Sequence, residues 1–178
     1  MPVFQKDEVS IELTWRPLTG ELAIEDRQRA WEVFVELTTR PAVTGMLESA
    51  HDGRDVRLAE VVGALEDLVR ALRPIVRAYP IGCSGTDDHF GTFLVRALAL
   101  VILPFLTRWT RVTRAHHLSG SSTAADAVAA VPAGVIEDLA AVRSFLLSTN
   151  AALAKAYHFP DVLGTFPGSL ADAWRSPG

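Results

Sequence analysis

Between Phe90 and Val112, apolar side chains fall on almost every side of what must be a helix. Phe90, Phe93, Leu94, Ala97, Leu98, Val101, Ile102, Phe105, Trp109 and Val112 recur at helical spacing. The opposite face adds Val95, Leu100, Leu103 and Leu106. A helix that is apolar all round has to be surrounded by other elements. The segment therefore predicts the central helix of an all-α fold, and Pro104 predicts a kink in it.

The same segment has the length of a membrane span, for which about 20 apolar residues suffice. Arg96 and Pro104 interrupt it, and the unbroken apolar run from Ala97 to Leu106 is short for a bilayer. An arginine at the centre of a span costs roughly 2.5–3.5 kcal/mol on insertion scales. The expectation is a buried helix with no stable membrane insertion.

Three further long helices are legible. The first is expected from about Ile24 to Arg40, with Ile24, Arg27, Trp31, Phe34, Val35 and Thr38 on one face. Glu25 and Asp26 sit in its first turn, where the helix dipole favours acids, and Pro41 ends it. The second runs from about Asp55 to Tyr79, with an apolar stripe of Leu58, Val62, Leu65, Val69, Leu72, Val76 and Tyr79. Pro74 lies inside it and predicts a kink. Thr86 or Asp87 is expected to cap the central helix, and Thr123 with Asp126 resembles a weak capping box. The last helix is expected from about Pro132 to Phe159, with Val135, Ile136, Leu139, Val142, Leu146, Thr149, Leu153 and Tyr157 facing inward. Four long helices and modest loops favour an antiparallel four-helix bundle in a single domain over residues 1–178. Residues 1–20 form an extended arm and residues 161–178 an irregular tail. In the arm, Val9, Ile11, Leu13 and Trp15 alternate with Ser10, Glu12, Thr14 and Arg16, the pattern of a half-buried strand. A lone strand needs a partner. Val162 to Phe166 is one candidate, and a sheet edge in another protein or a second copy is the other.

A chain of 178 residues can bury a core without metals or disulfides. The net charge of −4 argues against a dedicated nucleic-acid binder, because neutralising phosphates needs a basic surface. Cys83 is the sole cysteine, so neither an intramolecular disulfide nor a cysteine zinc cluster can form. That fits a reducing cytoplasm. The first ten residues carry Lys6, Asp7 and Glu8 and lack the apolar core of a signal peptide. Lys6 and Lys155 are the only lysines against many arginines, a bias of GC-rich bacterial genomes.

No catalytic signature stands out. Cys83 lies between Gly82 and Ser84 with no adjacent base to form a thiolate. Asp87, Asp88 and His89 carry metal-ligand chemistry, but the same residues suit the acidic start of a helix. Metal-holding bundles use two Glu-x-x-His motifs on facing helices, whereas Glu48-x-x-His51 stands alone in this sequence, and no metal or cofactor is expected. Arg108, Arg111, Arg114, His116 and His117 form the densest basic cluster, placed where cations complement a helix C-terminus. Glu36, Arg40, Arg73, Arg96 and Asn150 interrupt apolar helices, and buried charges require partners. Glu36 is expected to pair with arginines. Glu36, Arg40, Arg96, Arg108 and Trp109 are the candidate ligand-binding residues, and Val9, Ile11, Leu13 and Trp15 the candidate interaction residues.

Two blocks carry a resemblance. Residues 30–40, containing Trp31-x-x-Phe34-x-Glu36-Leu37-x-Thr39-Arg40, and residues 103–109, containing Pro104-Phe105-Leu106-x-x-Trp109, look like blocks of small uncharacterised helical bacterial proteins. Thr110 stands where that pattern places a histidine after the tryptophan. The resemblance implies an accessory component of bacterial multi-gene, defence-like systems and makes Glu36 and Arg40 a pair of interest. It assigns no catalytic residue.

Taken together, these features point to a non-enzymatic cytoplasmic protein that works through contacts with another protein or with itself. A small-molecule-sensing bundle and a membrane-active effector are the alternatives.

Overall fold

The computed structural model describes residues 3–6, 9–44, 58–79, 89–118 and 134–160. It is mostly helical. Two short strands, β1 (Val3–Lys6) and β2 (Val9–Glu12), precede α1 (Ala23–Thr39), α2 (Pro41–Thr44), α3 (Leu58–Arg77), α4 (Phe90–Ala97), α5 (Leu103–Leu118) and α6 (Val135–Tyr157). A π-helical turn, Leu98–Ile102, fuses α4 and α5 into one continuous rod.

The arm differs from the single strand expected. β2 pairs antiparallel with β1, Phe4 opposite Ile11 and Gln5 opposite Ser10, so its partner comes from the arm itself. Val162 to Phe166 lies outside the described residues, as do Cys83, Asp87, Asp88 and the Thr123–Asp126 pair. The alternation holds beyond the strand: Ile11 and Leu13 are buried while Glu12, Thr14 and Arg16 are exposed. Trp15 lays its ring against Phe90 and Phe93, with centroids 5.0 and 4.7 Å away. Arg16 forms a parallel bridge to His89, which ties the arm to the start of α4.

The π turn has a physical cause next to it. Pro104 has no N–H to donate, and its ring crowds the carbonyl four residues back. The backbone widens just ahead of it, and the N–H of Leu103 bonds to the carbonyl of Leu98, five residues away. Next to Pro104, where a kink is expected, the structure has this π turn, and the helix runs on through it to Leu118. The segment Phe90–Arg111 is long and apolar enough to cross a membrane by length and composition, and much of it is buried inside the protein. Pro74, in contrast, lies within α3 on its exposed side, and the helix continues to Arg77.

The core follows the predicted stripes of α3 and α6 closely. Val62, Leu65, Val69, Leu72 and Tyr79 are buried on one, and Val135, Leu139, Val142, Leu146, Leu153 and Tyr157 on the other. The α1 face is rotated from expectation. Ile24 is 82% exposed and Trp31 is partly exposed, while Asp26, Ala30, Val33, Phe34 and Leu37 turn inward.

Contacts fix the direction of three helix pairs. Asp26 meets Tyr157 near one end of α1, and Thr38 meets Asn150 near the other, so α1 and α6 run antiparallel. Tyr79 stacks near His89, and Thr110 bonds Glu66, so α3 runs antiparallel to the α4–α5 rod. Phe90 against Tyr157 and Trp109 against Asp138 do the same for that rod and α6.

Candidate functional site

One end of the molecule brings together the start of α1, the end of α3, the start of α4 and the end of α6. At their meeting point lies a carboxylate. Asp26 is 1% exposed, although its place in the first turn of α1 resembles an ordinary surface cap. Its Oδ2 accepts two hydrogen bonds of 2.8 Å, from the backbone N–H of Leu18 and from the hydroxyl of Tyr157. Tyr79 donates at 3.5 Å to the Asp26 backbone carbonyl. A buried charge persists only where such donors replace water.

This environment suppresses ionisation of the two phenols. Burial raises Tyr79 well above the ordinary tyrosine value, and the negative charge of Asp26 raises it further. Burial also raises Tyr157, followed by the charge of Asp26 and the hydrogen bond to it. The indole N–H of Trp15 faces the Tyr157 hydroxyl and opposes that shift, without completing a well-formed hydrogen bond. Both phenols are therefore held in the protonated form, in which they donate to Asp26.

Three polar atoms at this junction are buried without a partner among the described residues: Oδ1 of Asp26, Nε1 of Trp15 and Nδ1 of His89. The other ring nitrogen of His89 lies 3.0 Å from the hydroxyl of Thr92. Gly91 lets the pieces fit. A Cβ there would stand 2.7 Å from the Tyr79 ring and 3.0 Å from Cε1 of His89.

Towards the other end, Asp138 is the focus. Its Oδ2 accepts from Nε1 of Trp109 at 2.8 Å and from Nη1 of Arg108 at 3.3 Å. The Arg108 guanidinium also lies over the Trp109 ring, 4.8 Å from its centroid. Two of the predicted residues, Arg108 and Trp109, thus share one carboxylate.

Glu36 and Arg40 pair with each other. Nε and Nη2 of Arg40 reach the same Glu36 oxygen at 2.8 and 2.6 Å, and both side chains are about one-third exposed. Arg96 is exposed on α4, as is Arg73 on α3, so the expected network joining them to Glu36 in the core is not formed. The reason is rotational: each projects from the outward side of a helix whose other sides are buried. Asn150 is buried and donates at 3.2 Å to the hydroxyl of Thr38, which in turn donates to the Phe34 carbonyl. Arg143, buried on α6, donates from Nε to the carbonyl of Ala42 at 2.8 Å, and its burial lowers its pKa.

The predicted interaction residues are placed differently from expectation. Ile11 and Leu13 are in the core and Trp15 is packed on α4, so these side chains bind their own chain. For Val9, the structure describes the backbone pairing with Lys6. Exposed large apolar residues lie elsewhere, at Val95 (49%) and Leu100 (45%) on the central rod and Leu147 (39%) on α6, besides Ile24 and Trp31.

The junction residues Asp26, Tyr79 and Tyr157 were not identified from sequence as a group. A signal existed. Ala30, Val33 and Leu37 are spaced from Asp26 by four, seven and eleven residues, which puts the carboxylate in line with a buried stripe. Among the described residues, no three His, Cys, Asp or Glu side chains cluster closely enough to hold a metal. No family model, curated protein or solved structure matches this chain.

Proposed function

We propose that the four long helices assemble as an antiparallel four-helix bundle, and that the chain works in the bacterial cytoplasm as a non-enzymatic protein–protein interaction component, an accessory of a multi-component, defence-like system. The observation that carries this reading is the position of its exposed apolar residues. Val95 and Leu100 face outward from the very helix that supplies much of the core, and Leu147 faces outward from the helix packed beside it. Apolar exposure on adjoining elements marks interaction surfaces more often than scattered single residues do. Two of the buried carboxylates meanwhile bind other side chains of the same chain, Asp26 with Tyr157 and Asp138 with Trp109.

Site-specific photo-crosslinking in the native cell tests the reading. A crosslinker at Leu100 is expected to trap a discrete protein adduct, and one at the exposed Asp67 on α3 is expected to trap none. Absence of any adduct at Leu100, Val95 and Leu147 removes the proposal.

A second reading is favoured by the unpartnered oxygen of Asp26. A small polar ligand that enters the junction would satisfy it, and the chain would then act as a sensor. A metabolite that raises the melting temperature of the native chain but not of Asp26→Asn supports that reading.

A further inference from the structure

The outward face of α6 complements itself. Glu137, Ala140, Ser144, Leu147, Ala151 and Lys155 are all exposed. Steps of three and four place them along one side of the helix. A negative charge stands at one end, a positive charge at the other, and the positions between carry none. Glu137 and Lys155 make no ion pair among the described residues. The two charges are centred on position 146, so they lie at nearly equal distances from the midpoint between Ser144 and Leu147. The register that faces Phe90 to Tyr157 and Trp109 to Asp138 sets Leu100 level with Leu147 on the neighbouring rod.

We propose that this face docks on the same face of a second copy of the chain, with α6 crossing its counterpart antiparallel about a two-fold axis between Ser144 and Leu147. A two-fold contact repeats each pairing with the roles exchanged. In this register Glu137 faces Lys155 of the partner subunit, and Lys155 faces Glu137 of the partner subunit. Ala140 meets Ala151 of the partner subunit, and Ser144 meets Leu147 of the partner subunit. Reversing a helix about its midpoint exchanges its ends, so opposite charges at nearly equal distances from that midpoint attract only in an antiparallel self-pairing, and the one-residue offset is within reach of the long Glu137 and Lys155 side chains. The small side chains at Ala140, Ser144 and Ala151 let the two helices approach closely. The uncharged centre desolvates without stranding a charge. The inference rests on the interaction reading above and names one partner for it.

Light scattering and sedimentation of the full chain across a concentration series test the proposal. A concentration-dependent dimer is expected. Leu147→Glu is expected to give a monomer with an unchanged helical circular dichroism spectrum, because the residue lies outside the core. E137K or K155E alone places like charges opposite each other twice, and is expected to weaken dimerisation about three- to tenfold. E137K and K155E together restore the opposite-charge pairs and are expected to return the dimer to within about twofold of the parent. A monomer at every concentration overturns the proposal, as does a dimer indifferent to Leu147→Glu or a double swap no better than the single changes. A strict monomer that still traps a foreign protein through Leu100 loses the self-pairing alone. A monomer that traps nothing loses the interaction reading as well.

Discussion

The hydroxyl of Tyr157 donates to Oδ2 of Asp26 across 2.8 Å, joining the last turn of α6 to the first turn of α1. The two residues are 131 positions apart in the chain. The same oxygen receives the N–H of Leu18, so the N-terminal arm, the first helix and the last helix meet at one atom.

That atom predicts a cooperative loss. Asp26→Ala strands the Tyr157 hydroxyl and the Leu18 N–H in a buried site, and hydrogen bonds to a charged acceptor are worth about 1.5–3 kcal/mol each. The variant is expected to lose about 3 kcal/mol or more in urea unfolding with an unchanged m-value. Tyr157→Phe is expected to lose about 1–2 kcal/mol, and the double variant less than the sum, with a coupling of about 1–2 kcal/mol. Additive losses would show that the two side chains are energetically independent despite their distance.

The chain contains only two tyrosines, and both lie at this junction. Burial, then the charge of Asp26, raises both above the usual tyrosine value of about 10. The folded state therefore holds two phenolic protons that the unfolded chain releases above about pH 10. Their contribution to stability is fully present below that pH and is lost as pH rises beyond it, with a slope approaching about 2.7 kcal/mol per pH unit for the pair. Tyrosinate absorbance should appear only with unfolding, and Tyr157→Phe should halve the tyrosine part of the slope. Normal titration of either phenol in the folded protein would contradict the buried pairing.

The stripes of α3 and α6 were legible because apolar residues recur along both at helical spacing, even though α6 also buries Asp138, Arg143, Thr149 and Asn150. The rotation of α1 was not. Counting Ile24 and Trp31 as inward is the natural apolar reading, but a carboxylate with strong donors outcompetes them for the core. Those donors come from Leu18 and Tyr157, which the sequence does not place beside Asp26. Arg96 was misplaced for the converse reason. Its helix is apolar on nearly all sides, so sequence periodicity gives no outward side, and the packing of α3 and α6 decides it. The arm's alternation was legible, whereas its partner was not, since backbone pairing leaves no periodic trace. The sequence points to Arg108 and Trp109 but not to their acceptor Asp138, because only the packing of α5 against α6 brings the three together.

Gly91 leaves no room for a side chain. A methyl group there would lie 2.7 Å from the Tyr79 ring, inside any normal contact distance. Gly91→Ala is expected to destabilise the protein by about 1–3 kcal/mol through overpacking, despite the better helix propensity of alanine. Tyr79→Leu in the same chain should recover part of the loss, since it removes the obstructing ring. A neutral Gly91→Ala in thermal unfolding would mean that the ring moves aside freely.

Deleting residues 1–17 removes Ile11 and Leu13 from the core and uncovers the Phe90 and Phe93 rings beneath Trp15. Burying each large aliphatic side chain contributes roughly 1.5–3 kcal/mol. The truncated chain is expected to lose at least about 3 kcal/mol and to bind a hydrophobic dye more strongly, with no change in oligomeric state if α6 forms the dimer. Loss of the dimer without loss of stability would reassign the arm as the self-association element.

At the opposite end, the two donors to Asp138 should differ in worth. Trp109 is buried and points its N–H at the carboxylate from 2.8 Å. The Arg108 side chain is 62% exposed and more distant, at 3.3 Å. Solvent and salt screen an exposed guanidinium, so Arg108→Ala is expected to cost no more than about 1 kcal/mol, and less at high ionic strength. Trp109→Phe deletes a buried donor to a buried carboxylate as well as part of a packed ring, and is expected to cost about 2–4 kcal/mol with little dependence on salt. Paired urea titrations at low and high salt separate the two. If Arg108→Ala proves the more damaging, its stacking on the indole, rather than the indole N–H, is what holds α5 against α6.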